Sequence, residues 1–266
     1  MTFRRTIFTT VSILVLSFSG SSQETSGDRT IIRVLSYNIH HGSSAKGDFD
    51  PSKAASVIIK ADPDLVALQE IDSKTSRVNN RDLVSELIQA TGMYGIFGKA
   101  TDFAGGEYGQ VILSKNSFLR TQKIILPGQP GKEPRIAVEA YVQLKYGDTI
   151  QFLTTHLDHD ENSRDRVLQA QRLNELRNEG FPAILAGDLN DTPKSETVNL
   201  LEGKWGSVYS KRTPQPTFPS TLPKKKIDFI MFYPKHRWTI ISTEIICDEK
   251  ASDHCAVLAV LELLPK

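Results

Sequence analysis

Four apolar runs in this chain each end on polar residues. Val34-Leu35-Ser36-Tyr37 leads to Asn38, Leu65-Val66-Ala67-Leu68 to Gln69-Glu70, Phe152-Leu153-Thr154-Thr155 to His156, and Ala183-Ile184-Leu185-Ala186 to Gly187-Asp188. Short runs rich in Val, Ile, Leu and aromatics read as buried strands. A polar group at the end of such a strand is carried on a rigid frame, and several such ends project into a shared cleft. The fold must therefore be one in which strand ends converge.

The remaining strand-like runs extend this reading. With those above they span 31–38, 65–69, 109–114, 137–144, 149–155, 183–186, 227–232, 239–246 and 256–264. Helical spacing appears between the early ones. Asp50 caps a helix opened by Pro51, with Val57, Ile58 and Ala61 on one face. Leu83, Val84, Leu87 and Ile88 form a second stripe after Asn79 and Asn80, stopped by Gly92. A third begins near Ser163, carries Val167, Ala170, Leu173 and Leu176, and stops at Gly180 and Pro182. Tyr146-Gly147-Asp148 joins two strands as a hairpin, and the proline-rich stretch 213–226 reads as an ordered surface loop. A single domain of mixed sheets, packed together and covered by helices, accommodates this order.

The N-terminus has a different character. Arg4 and Arg5 precede an apolar run, Ile7 to Phe18, followed by Ser19, Gly20, Ser21 and Ser22. This pattern predicts a secretory signal peptide over 1–22, with an uncleaved membrane anchor as the alternative, and a polar linker over 23–29, leaving one folded domain over 30–266 and a secreted or periplasmic product. The whole chain has 32 Lys+Arg against 31 Asp+Glu; loss of Arg4 and Arg5 leaves 30 against 31, a net charge of −1. That balance does not favour a strongly electrostatic nucleic-acid binder. Export permits a disulfide between the only cysteines, Cys247 and Cys255, which flank the loop 248–254; the sequence leaves the bond open.

The polar residues point to one chemistry. Attack of water on a phosphoester needs a divalent metal held by carboxylates, a group that activates the water, and donors for the phosphoryl oxygens. Glu70, after a buried strand, is the leading metal ligand, and Asp253 is a second metal-side carboxylate. Asp188 and Asn190, on a tight turn after Gly187, can hold and orient the attacking water, although the same residues also make ordinary Asx turns. His254 is a base or a transition-state donor. Asp228 is the candidate to fix its tautomer, because an Asp inside an apolar strand is costly unless paired. His156 reads as a donor to a phosphate oxygen, and His159, past the strand end, as a loop histidine. Arg135 either clamps a phosphate or pairs with a carboxylate. Tyr108 lines the cleft or only packs. Lys224-Lys225-Lys226 reads as a solvated charge run that lies close enough in sequence to the site to meet substrate.

In these motifs the chain resembles the endonuclease/exonuclease/phosphatase superfamily. The motifs are Ser36-Tyr37-Asn38, Gln69-Glu70, Tyr108-Gly109 through Leu113-Ser114, Thr155-His156-Leu157, Gly187-Asp188-Leu189-Asn190, Ile227-Asp228 and Ser252-Asp253-His254, in the family's order. The resemblance implies a four-layer α/β/β/α sandwich with two packed mixed β-sheets. It also implies Mg2+ or Mn2+ near Asn38, Glu70 and Asp253, with Asp188 and Asn190 arranging the nucleophile and Asp228 paired with His254. Asn38, Tyr108 and Arg135 are the residues assigned to the substrate phosphate. Ser-Asp-His in place of Cys-Asp-Arg disfavours the inositol phosphatase branch, and His156 in place of Asn disfavours the abasic-site branch. The expectation is an exported, monomeric phosphodiesterase with nuclease-like activity and no stable protein partner. A phospholipid or sphingomyelin headgroup is the alternative substrate. A binding module that keeps the fold without turnover is the reading from another class, and the complete set of site residues weighs against it.

Overall fold

In the computed structural model, twelve strands form two six-stranded sheets. Met1 and residues 29–145, 147–161 and 164–265 are described. The expected signal peptide beyond Met1, the linker before Arg29, Tyr146 of the hairpin turn and Ser163 at the expected helix start lie outside the described residues.

The first sheet holds β1 (Thr30–Asn38), β2 (Leu65–Ser73), β3 (Tyr94–Phe103), β4 (Gly106–Ser114), β11 (Trp238–Ile246) and β12 (Ala256–Leu263), in the order β11-β12-β1-β2-β4-β3. The second holds β5 (Phe118–Ile125), β6 (Ile136–Gln143), β7 (Thr149–His156), β8 (Ala183–Asp188), β9 (Gly206–Ser207) and β10 (Asp228–Tyr233), in the order β5-β6-β7-β8-β10-β9. Each sheet contains one parallel pair, β1 with β2 and β7 with β8; the other pairs are antiparallel.

Alternation along the strands sorts side chains into three apolar layers. Ile32 and Val34 of β1, Phe152 of β7, Ile184 and Ala186 of β8, and Ile230 of β10 share the core between the sheets. The opposite face of β1, Leu35 and Tyr37, packs on helices α1 (Pro51–Ala61) and α2 (Leu83–Thr91), through Val57, Ile58, Ala61, Leu83 and Leu87. Leu185, Phe229 and Met231 of the second sheet pack on α3 (Arg164–Glu175) and α4 (Glu196–Glu202). The result is the expected four-layer sandwich. Both sequence-predicted N-terminal signals of α1 are present: Asp50 accepts a hydrogen bond from the Ser52 amide, and Pro51 is the first helical residue.

Two expectations hold only in part. The stretch 213–226 is the expected loop without helix or strand, mostly exposed or half-buried, but it also reaches inward: Thr217 is fully buried, and Ser220 donates through Oγ to the Ser252 carbonyl at 2.7 Å. The lysine run also divides. Lys224 and Lys225 are exposed, but Lys226 is buried, with its ammonium donating to the Asp228 carbonyl and lying 5.0 Å from the Phe229 ring. Burial lowers its pKa to about 8. A cation beside an aromatic face and a carbonyl keeps favourable partners after leaving water, which solvated lysines do not need.

Candidate active site

The inter-sheet core becomes polar at one end. On β1 the residues facing the second sheet continue from Ile32 and Val34 through Ser36 to Asn38; on β7 they run from Phe152 through Thr154 to His156; on β8 from Ile184 and Ala186 to Asp188; and on β10 back from Ile230 to Asp228. A period of two therefore delivers four of the predicted residues to one layer. Glu70 arrives differently. The pairing of β2 with β4 shifts register between Leu68 and Ile71, and Glu70 sits there with φ of 58°. A bulge of this kind re-aims a side chain beside a functional site. His40, His41 and Asn190 also adopt positive φ around the same end of the sheets. Such backbone strain tends to gather where a site is held in a special geometry.

Asp188 is the centre of the cluster. Its Oδ1 accepts from the Asn190 amide at 2.8 Å, and its Oδ2 accepts from Asn38 Nδ2 at 3.2 Å. The same Oδ2 lies 3.6 Å from His156 Nε2 and 3.7 Å from His254 Nε2. Asn190 Nδ2 contacts His156 Nε2 at 2.9 Å and donates to the Leu157 carbonyl at 3.0 Å, so its carbonyl oxygen is the acceptor left for a water. His254 Nδ1 lies 3.1 Å from both carboxylate oxygens of the fully buried Asp228. The loop carrying His254 is tied down as well: Ser252 Oγ donates to the Asn38 carbonyl at 2.7 Å, and Cys247 and Cys255 form a disulfide across the loop.

The electrostatics separate these groups. Burial opposes charge on His254, but the carboxylates of Asp228, Asp188 and Asp253 outweigh it and raise its pKa to about 10. His156 moves the other way: burial, reinforced by Arg135 and His254, pushes it well below the usual imidazole value. One histidine is thus an imidazolium and the other neutral. Burial and then the like charge of Asp228 push Asp188 up to about 7. Titratable groups driven apart in this way define acid and base roles. An imidazolium donates to phosphoryl oxygen, and a carboxylate that ionises near neutrality accepts a proton from water.

A cleft of about 660 Å³ opens over this cluster. Of the predicted residues, Glu70, Tyr108, Arg135, His156, Asp188, Asn190, Asp253 and His254 line it; Asn38 and Asp228 lie behind them, fully buried. Asn38 donates from Nδ2 to Glu70 Oε1 at 2.9 Å, and its Oδ1 accepts from the His40 amide at 3.1 Å. In this arrangement it orients Glu70 and Asp188 and presents no free amide to a phosphate. Of the two alternatives read from the sequence, Arg135 shows the carboxylate pair, with Glu133 at 3.0 Å, and it also lines the cleft. His159, the expected loop histidine, lies past β7, contacts Arg135 at 3.0 Å and also lines the cleft.

The donor set suits a hard divalent cation. Other carboxylates of the wall are neutralised, Asp102 by Lys99 at 2.7 Å and Glu133 by Arg135. Neither Glu70 nor Asp253 has a Lys or Arg within ion-pair distance among the described residues; Asp253 meets His40 Nδ1 at 3.7 Å and accepts from Ser252 Oγ at 3.4 Å. Two carboxylates of one cleft wall without a Lys or Arg partner are the kind of oxygen donors Mg2+ or Mn2+ takes. Asp188, Asp228 and His254 also lie close enough to hold a metal ion. His254 Nδ1 meets Asp228 and its Nε2 faces Asp188 at 3.7 Å, a geometry that serves a hydrogen-bonded relay when the imidazole is protonated and a metal ligand when it is neutral.

Sequence reasoning missed Arg77, Phe103, Lys132 and Phe218, all in the cleft wall. Nothing in their local sequence marks them; only the folding of distant loops toward one opening does.

The model of the Endonuclease/Exonuclease/phosphatase family matches residues 35–254. Protein cwh43 of Schizosaccharomyces pombe is 25% identical over 183 residues, which cover 68% of this chain and 18% of that protein. The chain therefore spans less than a fifth of this relative. An endonuclease/exonuclease/phosphatase from Beutenbergia cavernae superposes with a TM-score of 0.74 at 21% identity, over 89% of this chain and 72% of that one. A mannosyl-6-phosphatase of Bacteroides thetaiotaomicron gives 0.67 at 20% identity, over 86% and 99%.

Proposed function

Because the chain belongs to the endonuclease/exonuclease/phosphatase family, whose members are phosphoester hydrolases, we propose that it is a divalent-metal-dependent phosphodiesterase, exported and acting as a monomer. The observation that carries this is the Asp188 cluster: a buried carboxylate with a raised pKa, between an imidazolium and a neutral imidazole, beside two carboxylates without a Lys or Arg partner.

Glu70 and Asp253 would hold the metal, with Asn38 fixing the Glu70 carboxylate. The ion, when bound, neutralises charge on the phosphoryl oxygens and raises the electrophilicity of phosphorus. Asp188 takes the proton of the attacking water, which the Asn190 carbonyl orients. His254, kept protonated by Asp228, donates from Nε2 to a phosphoryl oxygen as negative charge grows. Arg135 and Tyr108 face the same phosphate from the wall.

Two diester substrates follow from the sequence: a nucleic-acid strand, in keeping with the family resemblance, and a phospholipid or sphingomyelin headgroup. The fold likeness to a mannosyl-6-phosphatase adds a sugar phosphate for comparison. A screen of DNA, RNA, sphingomyelin, phosphatidylinositol, small diesters and sugar phosphates, with Mg2+ or Mn2+ and with EDTA, tests the reading. Metal-restored release of phosphate or headgroup from at least one diester supports it. Turnover confined to monoesters, or indifferent to EDTA, contradicts it.

A further inference from the structure

The cleft extends outward from the reaction centre between two segments, the β3–β4 hairpin with Thr101, Asp102 and Phe103, and the Gly131–Pro134 connection before β6. Phe103, at the end of β3, leaves 43% of its surface exposed. Its ring is held from one side. The Arg77 guanidinium lies 4.6 Å from the Phe103 centroid and 5.5 Å from that of Tyr108, and the two rings are 6.3 Å apart. Arg77 is itself clamped: Nε and Nη2 each donate to the fully buried Asp72 at 2.7 Å, and Thr75 Oγ1 donates to the same carboxylate. A buried acid, a bidentate arginine and an exposed ring form a fixed platform.

The charges of the outer cleft limit what the platform can meet. Five carboxylates and three Lys or Arg side chains line the whole cleft. All three cations are engaged: Arg77 with Asp72, Lys132 with Asp160 at 2.8 Å, and Arg135 with Glu133. Beyond the reacting phosphate, the wall offers an aromatic face and no unspent cation for another phosphate. A polyanion binds through many unpaired cations; a neutral ring binds by stacking or by packing its C–H face on an aromatic.

We propose that the Phe103–Arg77 platform is the specificity subsite, and that the substrate is a small ester with one phosphate and an uncharged ring, a nucleoside or a cyclic polyol, that rests on Phe103. This rests on the hydrolase reading above. The test is calorimetric binding with Mg2+ in an Asp188→Asn background, in which turnover is suppressed. The probes are thymidylyl-thymidine, glycerophosphoinositol, glycerophosphoethanolamine and a long oligothymidylate. At least one ring-bearing small diester binds about tenfold tighter than glycerophosphoethanolamine, and which one does distinguishes nucleoside from polyol. Adding Phe103→Ala removes that difference and leaves glycerophosphoethanolamine unchanged. The oligothymidylate binds no tighter per site than the dinucleoside. Equal affinity for all the small diesters, no binding of either ring-bearing one, a uniform loss in Phe103→Ala, or a strong salt-sensitive preference for the oligomer would overturn the proposal. Absence of Mg2+-dependent diester hydrolysis by the parent chain would instead remove the hydrolase reading beneath it.

Discussion

Asp188 is buried between Asp228 and two imidazoles, with no Lys or Arg within ion-pair distance among the described residues. Such a site costs stability when the carboxylate ionises. Its folded pKa, about 7, is above the ordinary aspartate value, so the stabilisation tied to its proton is complete below about pH 4 and is lost as pH rises through about 7. In EDTA, the stability of Asp188→Asn relative to the parent is therefore expected to shift in the variant's favour between pH 4 and pH 8, by on the order of 1–3 kcal/mol, and turnover is lost. Denaturant titrations at the two pH values check this; a relative stability that does not change with pH, or that shifts in the parent's favour, would contradict it. His254 has the opposite use for its raised pKa: it must stay protonated to donate. The expected kcat/KM profile rises as Asp188 ionises near 7 and falls as His254 deprotonates near 10. His254→Gln loses the alkaline limb and about 10²–10⁴-fold in kcat; an unchanged alkaline limb would place the donor elsewhere.

At the scale of elements, the site depends on strand ends and on one stapled loop. The disulfide closes the loop that carries Ser252, Asp253 and His254, with a sequence separation of 8 between the cysteines. Cys247→Ser with Cys255→Ser is expected to lower stability by about 2–3 kcal/mol and to lower kcat more than KM, since the loop brings His254 to Asp228. A fall in stability with kcat untouched would assign the staple to folding alone. The elements that carry chemistry were also the ones legible in the sequence. Asn38, His156 and Asp188 end apolar runs, and Asp228 stands out as a carboxylate inside one. The strands that were missed are edges. β3 contains Gly95 and Gly98, where a side chain would collide with Ile88 and Val138, and β5 exposes Leu119 and the four residues after it. Neither shows the apolar density that marks a central strand. The short helix α4 depends on its Ser195 cap and on packing against α3 more than on periodicity. Lys226 was misread because a run of three lysines carries no sign that the last one turns inward.

At the scale of the molecule, the site is assembled from both halves of the sandwich. The first sheet and its loops carry Asn38, Glu70, Asp253 and His254; the second carries His156, Asp188, Asn190 and Asp228. The metal side and the water-activating side are thus on different sheets. Gln69 Nε2, donating to Thr154 Oγ1 at 3.0 Å, and the His254–Asp228 contact bridge them. The two functions should therefore separate by mutation. Mn2+ binding by calorimetry, read beside diester turnover, tests this most directly. Glu70→Ala is expected to bind Mn2+ at least about tenfold more weakly and to lose about 10²-fold or more in turnover, whereas Asp188→Asn keeps Mn2+ binding and loses turnover. A Glu70→Ala protein that binds Mn2+ and hydrolyses diesters as the parent does would contradict it.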